Sequence, residues 1–106
     1  MIKIQIIGRL GKDAEKTNIN GKQVLKFFVG VDQGKDTNKT TRWLMCYSYN
    51  EKLLPYLTKG KLVYVDGSHR VTTTTKDGKT YINEFVTVAE LQLLSSDKQN
   101  DLPVEF

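Results

Sequence analysis

The side chains that most often carry catalysis are scarce in this chain, which has one histidine, His69, and one cysteine, Cys46, among 106 residues. Nucleophilic catalysis needs a base oriented beside the nucleophile. His69 sits between Ser68 and Arg70 in an extended pattern with no partner that the spacing supplies, and it reads as a surface or barrel-rim histidine. One cysteine and one histidine cannot complete a tetrahedral zinc site, and a single cysteine cannot close an internal disulfide. Gly8-Arg9-Leu10-Gly11 lacks the Gly-Lys-Ser/Thr and the helix of a phosphate loop, so these glycines are expected to serve a bend. Glu84 and Glu90 share a strand and its parity, yet nothing sets either against a second carboxylate, and a glycosidase-type pair has no support. No enzyme, metal or cofactor is expected.

The chemistry that the sequence does offer is stacking beside positive charge. In Arg42-Trp43-Leu44-Met45-Cys46-Tyr47-Ser48-Tyr49 a period of two sends Trp43, Met45, Tyr47 and Tyr49 to one side and Leu44, Cys46 and Ser48 to the other. The small set fits a barrel interior, which makes Cys46 a core residue. The broad set is a row of flat rings, and single-stranded nucleic acid stacks on such rings whatever its sequence, because every base has a π-face. For Tyr47 two readings stand side by side, base stacking and packing against a protein surface. Arg9, Lys35, Arg42, Lys59, Arg70, Lys76 and Lys79 fall near expected turns or strand edges, where cations can track a phosphate backbone and release counterions.

The elements that position these residues follow from patterning. Ile2-Lys3-Ile4-Gln5-Ile6 alternates as a half-buried strand ending at Gly8. Asn20-Gly21 and Asp77-Gly78 are hairpin turns, because their residues tolerate positive φ. The first precedes a strand over 24–31, and a polar loop over 32–40 leads to the strand 41–49. Asn50 caps a helix predicted over 51–58, with Leu53, Leu54 and Leu57 on its buried side and Gly60 closing it. Leu62-Val63-Tyr64-Val65 is a strand stopped by Asp66-Gly67; β-branched residues continue to Thr75, and 79–94 returns as a long strand. The expected fold is all-β, a five-stranded Greek-key barrel of the OB type with one short helix between strands 3 and 4.

Composition bounds the partners. A chain of 12.1 kDa with 39% hydrophobic and 26% charged residues is an ordinary folded domain, neither disordered nor collagenous. No apolar run approaches the roughly 20 residues of a membrane-spanning helix, and Met1-Ile2-Lys3-Ile4-Gln5 lacks a charged head followed by an apolar core, so no leader is expected. A soluble, cytoplasmic protein is expected. The net charge of +4 combines −2 over residues 97–106 with +6 over the rest, so a basic body carries a small acidic tail.

Several separate blocks in order resemble the bacterial single-stranded DNA-binding protein family. They are Ile7-Gly8-Arg9-Leu10-Gly11-Lys12-Asp13-Ala14-Glu15, then Asn20-Gly21 and Phe28, then Thr41-Arg42-Trp43. The most specific is Tyr56-Leu57-Thr58-Lys59-Gly60-Lys61-Leu62-Val63-Tyr64-Val65-Asp66-Gly67, and Asp77-Gly78 with Tyr81 follows. The resemblance implies an OB barrel over residues 1–94, no catalysis, assembly into a homotetramer, and sequence-independent binding of single-stranded DNA in replication, recombination and repair. It implies base stacking at Trp43 and Tyr49 and basic positions beside the DNA at Lys59 and Arg70. The chain departs from the family at Lys35 and Thr74, where stacking aromatics are common, and in a shortened helix segment.

The ending, Asp101-Leu102-Pro103-Val104-Glu105-Phe106, resembles the family's acidic tip that docks replication and repair proteins, with Val104-Glu105 inserted before the phenylalanine. A terminal phenylalanine with its own carboxylate suits an apolar pocket beside a cation, with the acids steering encounter. About seven residues separate the tip from the barrel, a reach of about 25 Å. Two other readings remain: a primosomal-type OB adaptor, against which the acidic Leu-Pro tip argues, and a structural OB module whose aromatic strand is a protein interface.

Overall fold

A computed structural model describes residues 1–34 and 36–94. Six strands, β1 (Lys3–Leu10), β2 (Glu15–Ile19), β3 (Lys22–Gln33), β4 (Thr40–Ser48), β5 (Leu62–Lys76) and β6 (Lys79–Leu93), form one sheet. A 3-10 helix, Glu51–Tyr56, lies between β4 and β5, and a single 3-10 turn, Asp36–Asn38, lies between β3 and β4. The order is β1-β5-β6-β4-β3-β2, and β1 also pairs with β3 at Arg9↔Gly30 and Leu10↔Val29. Every pairing is antiparallel except β4 with β6, where Met45, Cys46 and Tyr47 lie beside Phe85, Val86 and Thr87. The result is a predominantly β, OB-like fold with a mixed sheet and one short helix.

Alternation places the core. Ile6 and Leu10 of β1, Leu25, Phe27 and Val29 of β3, Leu44 and Cys46 of β4, Val63 and Val65 of β5 and Val86 of β6 turn to one buried cluster. Each fully buried Leu, Val or Phe contributes about 1.5–3 kcal/mol of transfer free energy. Both predicted hairpin turns form, with positive φ at Asn20, Gly21, Asp77 and Gly78.

The structure corrects several boundaries. Asn50 does cap the helix, its side chain accepting from the Lys52 N–H at 3.1 Å, but the helix is 3-10 and stops at Tyr56 rather than Thr58. Pro55 is the reason: without an N–H, and with its ring against the preceding turn, it cannot continue an α-helix. Leu57 then leaves the helix to bury its side chain fully, while its carbonyl accepts from the Ala14 N–H at 2.9 Å. Leu53 and Leu54 are only partly buried against the core.

Asp66-Gly67 does not stop a strand. β5 runs through it with an irregularity in register against β6, and a side chain at Gly67 would strike the Thr87 carbonyl. β1 likewise runs past Gly8, where the Gly30 carbonyl of β3 approaches too closely for any side chain. The sixth strand is β2, the first arm of the Asn20-Gly21 hairpin, whose short, exposed, polar run carries almost no alternation.

Candidate nucleic-acid interface

β4 presents the two sides that its sequence encodes. Leu44, Cys46 and Ser48 are buried, while Trp43 is 52% exposed, Met45 and Tyr47 are half-buried, and Tyr49 just beyond the strand is 58% exposed. Burial pushes the Cys46 thiol up to about 12, so it is an inert core residue.

Register extends the outward row across three more strands. Phe28 on β3 lies opposite Met45, Phe85 on β6 lies beside Met45, and Arg70 on β5 lies opposite Phe85. The Tyr47 and Phe85 rings are near-parallel, with centroids 6.3 Å apart. Each end of the row carries a cation over a ring face: Lys12 Nζ is 5.6 Å from the Phe28 centroid, and Arg70 Cζ is 5.4 Å from that of Phe85. β4 and β6 pair over only three residues, and beyond them a cleft of about 220 Å³ opens between Trp43 and Met45 on one side and Ile82, Asn83 and Phe85 on the other. Flat π-surfaces with cations beside them can stack successive bases and hold their phosphates.

Comparison with known proteins decides which family the chain belongs to. The model of the Single-strand binding protein family matches residues 1–94. The chain belongs to that family. Single-strand binding proteins are non-catalytic nucleic-acid-binding proteins of OB fold, and binding single-stranded DNA is the general function of this one. Among solved structures it is similar to the small single-stranded DNA-binding protein of Streptomyces coelicolor, 17% identical, with 87% of this chain and 93% of that one covered at a TM-score of 0.71. It is also similar to the Plasmodium falciparum SSB solved in complex with ssDNA, at 25% identity, coverage of 90% and 96%, and a TM-score of 0.67. A third is the mitochondrial single-stranded DNA-binding protein Rim1 of S. cerevisiae, at 23% identity, coverage of 88% and 94%, and a TM-score of 0.66. The likenesses under 25% identity are likenesses of fold. No curated protein matches the chain.

In this single-strand binding protein the predicted cations are not equivalent. The Arg42 guanidinium grips the Glu84 carboxylate with two hydrogen bonds, Nε to Oε2 at 2.6 Å and Nη2 to Oε1. His69 Nε2 lies 2.9 Å from Glu84 Oε1. Both His69 and Glu84 are largely covered, with side chains 13% and 12% exposed, so the histidine is a part-buried strand residue held by a carboxylate. Hydrogen bonds from Arg42 and then from His69 hold the Glu84 carboxyl below the usual range, and the Glu84 carboxylate raises the Arg42 pKa. Arg42 therefore faces an internal carboxylate, and a phosphate would have to compete for it.

Arg9 donates from Nη1 to the Gly60 carbonyl at 2.9 Å, which ties it to the turn bearing Lys59, and it lines a second depression with Trp43, Asp32 and Thr41. The Lys59 backbone N–H donates to Asp13 at 2.8 Å. Arg70 is exposed over Phe85, and Lys76 and Lys79 face each other at the tip of the β5–β6 hairpin, remote in register from the row of rings. Lys35 and the tail residues Asp101, Leu102, Pro103, Val104, Glu105 and Phe106 lie outside the described residues.

Sequence reasoning missed Phe85, Lys12 and Phe28 as members of this surface. Parity would have found Phe28, since Phe27 and Val29 beside it are core. Phe85 required the parallel β4–β6 pairing, which no local pattern reveals. Among the described residues no cluster of three or more His, Cys, Asp or Glu could hold a metal ion, and no helix is long and apolar enough to cross a membrane.

Proposed function

We propose that this protein binds and protects single-stranded DNA without regard to sequence during replication, recombination and repair, laying the strand over Trp43, Tyr47 and Tyr49. Phe28, Met45 and Phe85 extend the platform. Arg9, Lys35, Lys59, Arg70 and the hairpin cations Lys76 and Lys79 serve the phosphates. Arg42 acts chiefly through its pairing with Glu84. The observation that carries the reading is the outward row of exposed and half-buried rings with a cation over each end, placed on an OB-like sheet.

The pairing of β1 with both β5 and β3 supports a closed five-stranded Greek-key barrel spanning residues 1–94. From Lys3 to Gly8 the other edge of β1 takes no strand among the described residues, which supports assembly with further copies, in our reading a homotetramer. Residues 95–106 form the acidic tail, whose tip recruits replication and repair proteins; the protein acts in the cytoplasm, on nucleoid DNA.

Titration with oligo(dT), followed by fluorescence of Trp43, the single tryptophan, tests the core of this. Strong quenching reversed by salt is the expected result. Absence of quenching and of binding in a gel assay would assign the aromatic row to a protein interface.

A further inference from the structure

Two glycines touch the same ring. A Cβ built on Gly11 would lie 2.7 Å from Trp43 Cζ3 and 2.9 Å from Cη2, and one built on Gly30 would lie 2.8 Å from both atoms. Real Cβ atoms do not approach carbon so closely, so the benzo end of the indole fills the space where either side chain would be. Gly30 lies opposite Trp43 in the β3–β4 register, and the Gly11 N–H donates to the Phe28 carbonyl at 3.1 Å, which fixes the bend after β1 against the same sheet. Neither residue has positive φ, unlike Gly21, Gly34, Gly60 and Gly78. Backbone conformation therefore does not require glycine at 11 or 30, whereas the room taken by the ring does.

We infer that Gly11 and Gly30 are positioning residues for ligand binding: together they form a side-chain-free seat that sets where the Trp43 indole stands on the sheet, and hence where a base can stack. This rests on the stacking role given to Trp43 above. A methyl group at either position displaces the indole from its seat while leaving every cation in place.

Gly11→Ala is the cleaner variant, because the three atoms nearest the added carbon all belong to Trp43; Gly30→Ala also meets Thr41 Cγ2 at 3.1 Å. The free protein is measured first, by tryptophan emission and near-ultraviolet circular dichroism, with thermal melting to show that each variant is folded. Gly11→Ala is expected to shift the Trp43 emission and to bind oligo(dT) about five- to tenfold more weakly, with an unchanged slope of log K against log salt. Placed in a Trp43→Ala background, Gly11→Ala is expected to have no further effect on binding, as a double-mutant cycle requires of a residue acting through that ring. An unshifted emission with wild-type affinity would overturn the inference, as would a loss of binding that persists without Trp43. If Gly30→Ala melts before it can be assayed, Gly11→Ala alone decides. Should the wild type fail to bind oligo(dT), the stacking reading falls, and the emission and dichroism of free Gly11→Ala still settle whether the seat holds the ring.

Discussion

The row of rings with its flanking Arg70 and the Arg42–Glu84–His69 cluster share three strands, β4, β5 and β6, and are built on opposite logics. In the row, Trp43 and Arg70 leave surface and charge open to solvent beside Phe28, Met45 and Phe85. One residue along each strand, Arg42, Glu84 and His69 satisfy one another, and the carboxylate that joins them is almost covered. Residue type alone does not separate a ligand-binding arginine from a structural one. What separates them is whether the folded chain already supplies the counter-charge.

The largest way to test that contrast is to remove the ring at its centre. Trp43→Ala should weaken oligo(dT) binding by about 1–3 kcal/mol while leaving the salt dependence nearly unchanged, since stacking releases no counterions. A change in slope as large as that from loss of a phosphate contact would show that the row works through charge and erase the distinction.

Next comes the cluster itself. Glu84→Gln keeps the shape and removes the charge that Arg42 and His69 share, and it should cost about 1–3 kcal/mol of folding stability at pH 7 in urea denaturation. The folded-state pKa of Glu84 lies below its ordinary value of 4.5, so its contribution is fully present above that value and is lost as pH falls through the lower folded one. Wild type and Glu84→Gln should therefore converge in stability on the acid side of 4.5. A gap that stays constant into strong acid would mean that packing, not the charge, is what Glu84 supplies.

A smaller effect separates the two arginines. Arg70→Ala should lower the magnitude of the salt slope by about 0.7, the value for one phosphate contact on a single strand, and Lys59→Ala should do the same. Arg42→Ala should change the slope by clearly less, because its guanidinium is already committed. Equal slopes for Arg42→Ala and Arg70→Ala would show that DNA displaces Glu84 from Arg42.

How much of this was legible in the sequence follows from how local each signal is. The two sides of β4 and both hairpin turns rest on neighbouring residues, and they stand as read. The extent of the helix was legible too, had Pro55 been weighed against the leucine spacing. The ion pair of Arg42 with Glu84 spans 42 positions and depends on a parallel strand pairing that neither segment encodes alone. Phe85 joins the rings through the same pairing. Gly11 read as a bend because a glycine after a strand usually is one; that a tryptophan 32 positions later needs its space becomes visible only when β3 and β4 lie side by side.

The smallest effect on DNA binding should come from the tail, and that is its use as a control. Residues 102–106 hold one acidic side chain, Glu105, and no basic one, so their side chains add nothing attractive to a phosphate backbone. Deleting them should leave oligo(dT) affinity within about twofold and the salt slope unchanged, while abolishing capture of helicase or repair partners in a pull-down. Removal of negative charge can only tighten binding to DNA, so a loss of affinity would mean that the tail serves assembly of the sheet surface itself. Retained capture would place the partner-binding site on the folded body, where the exposed rings would then have two kinds of ligand to serve.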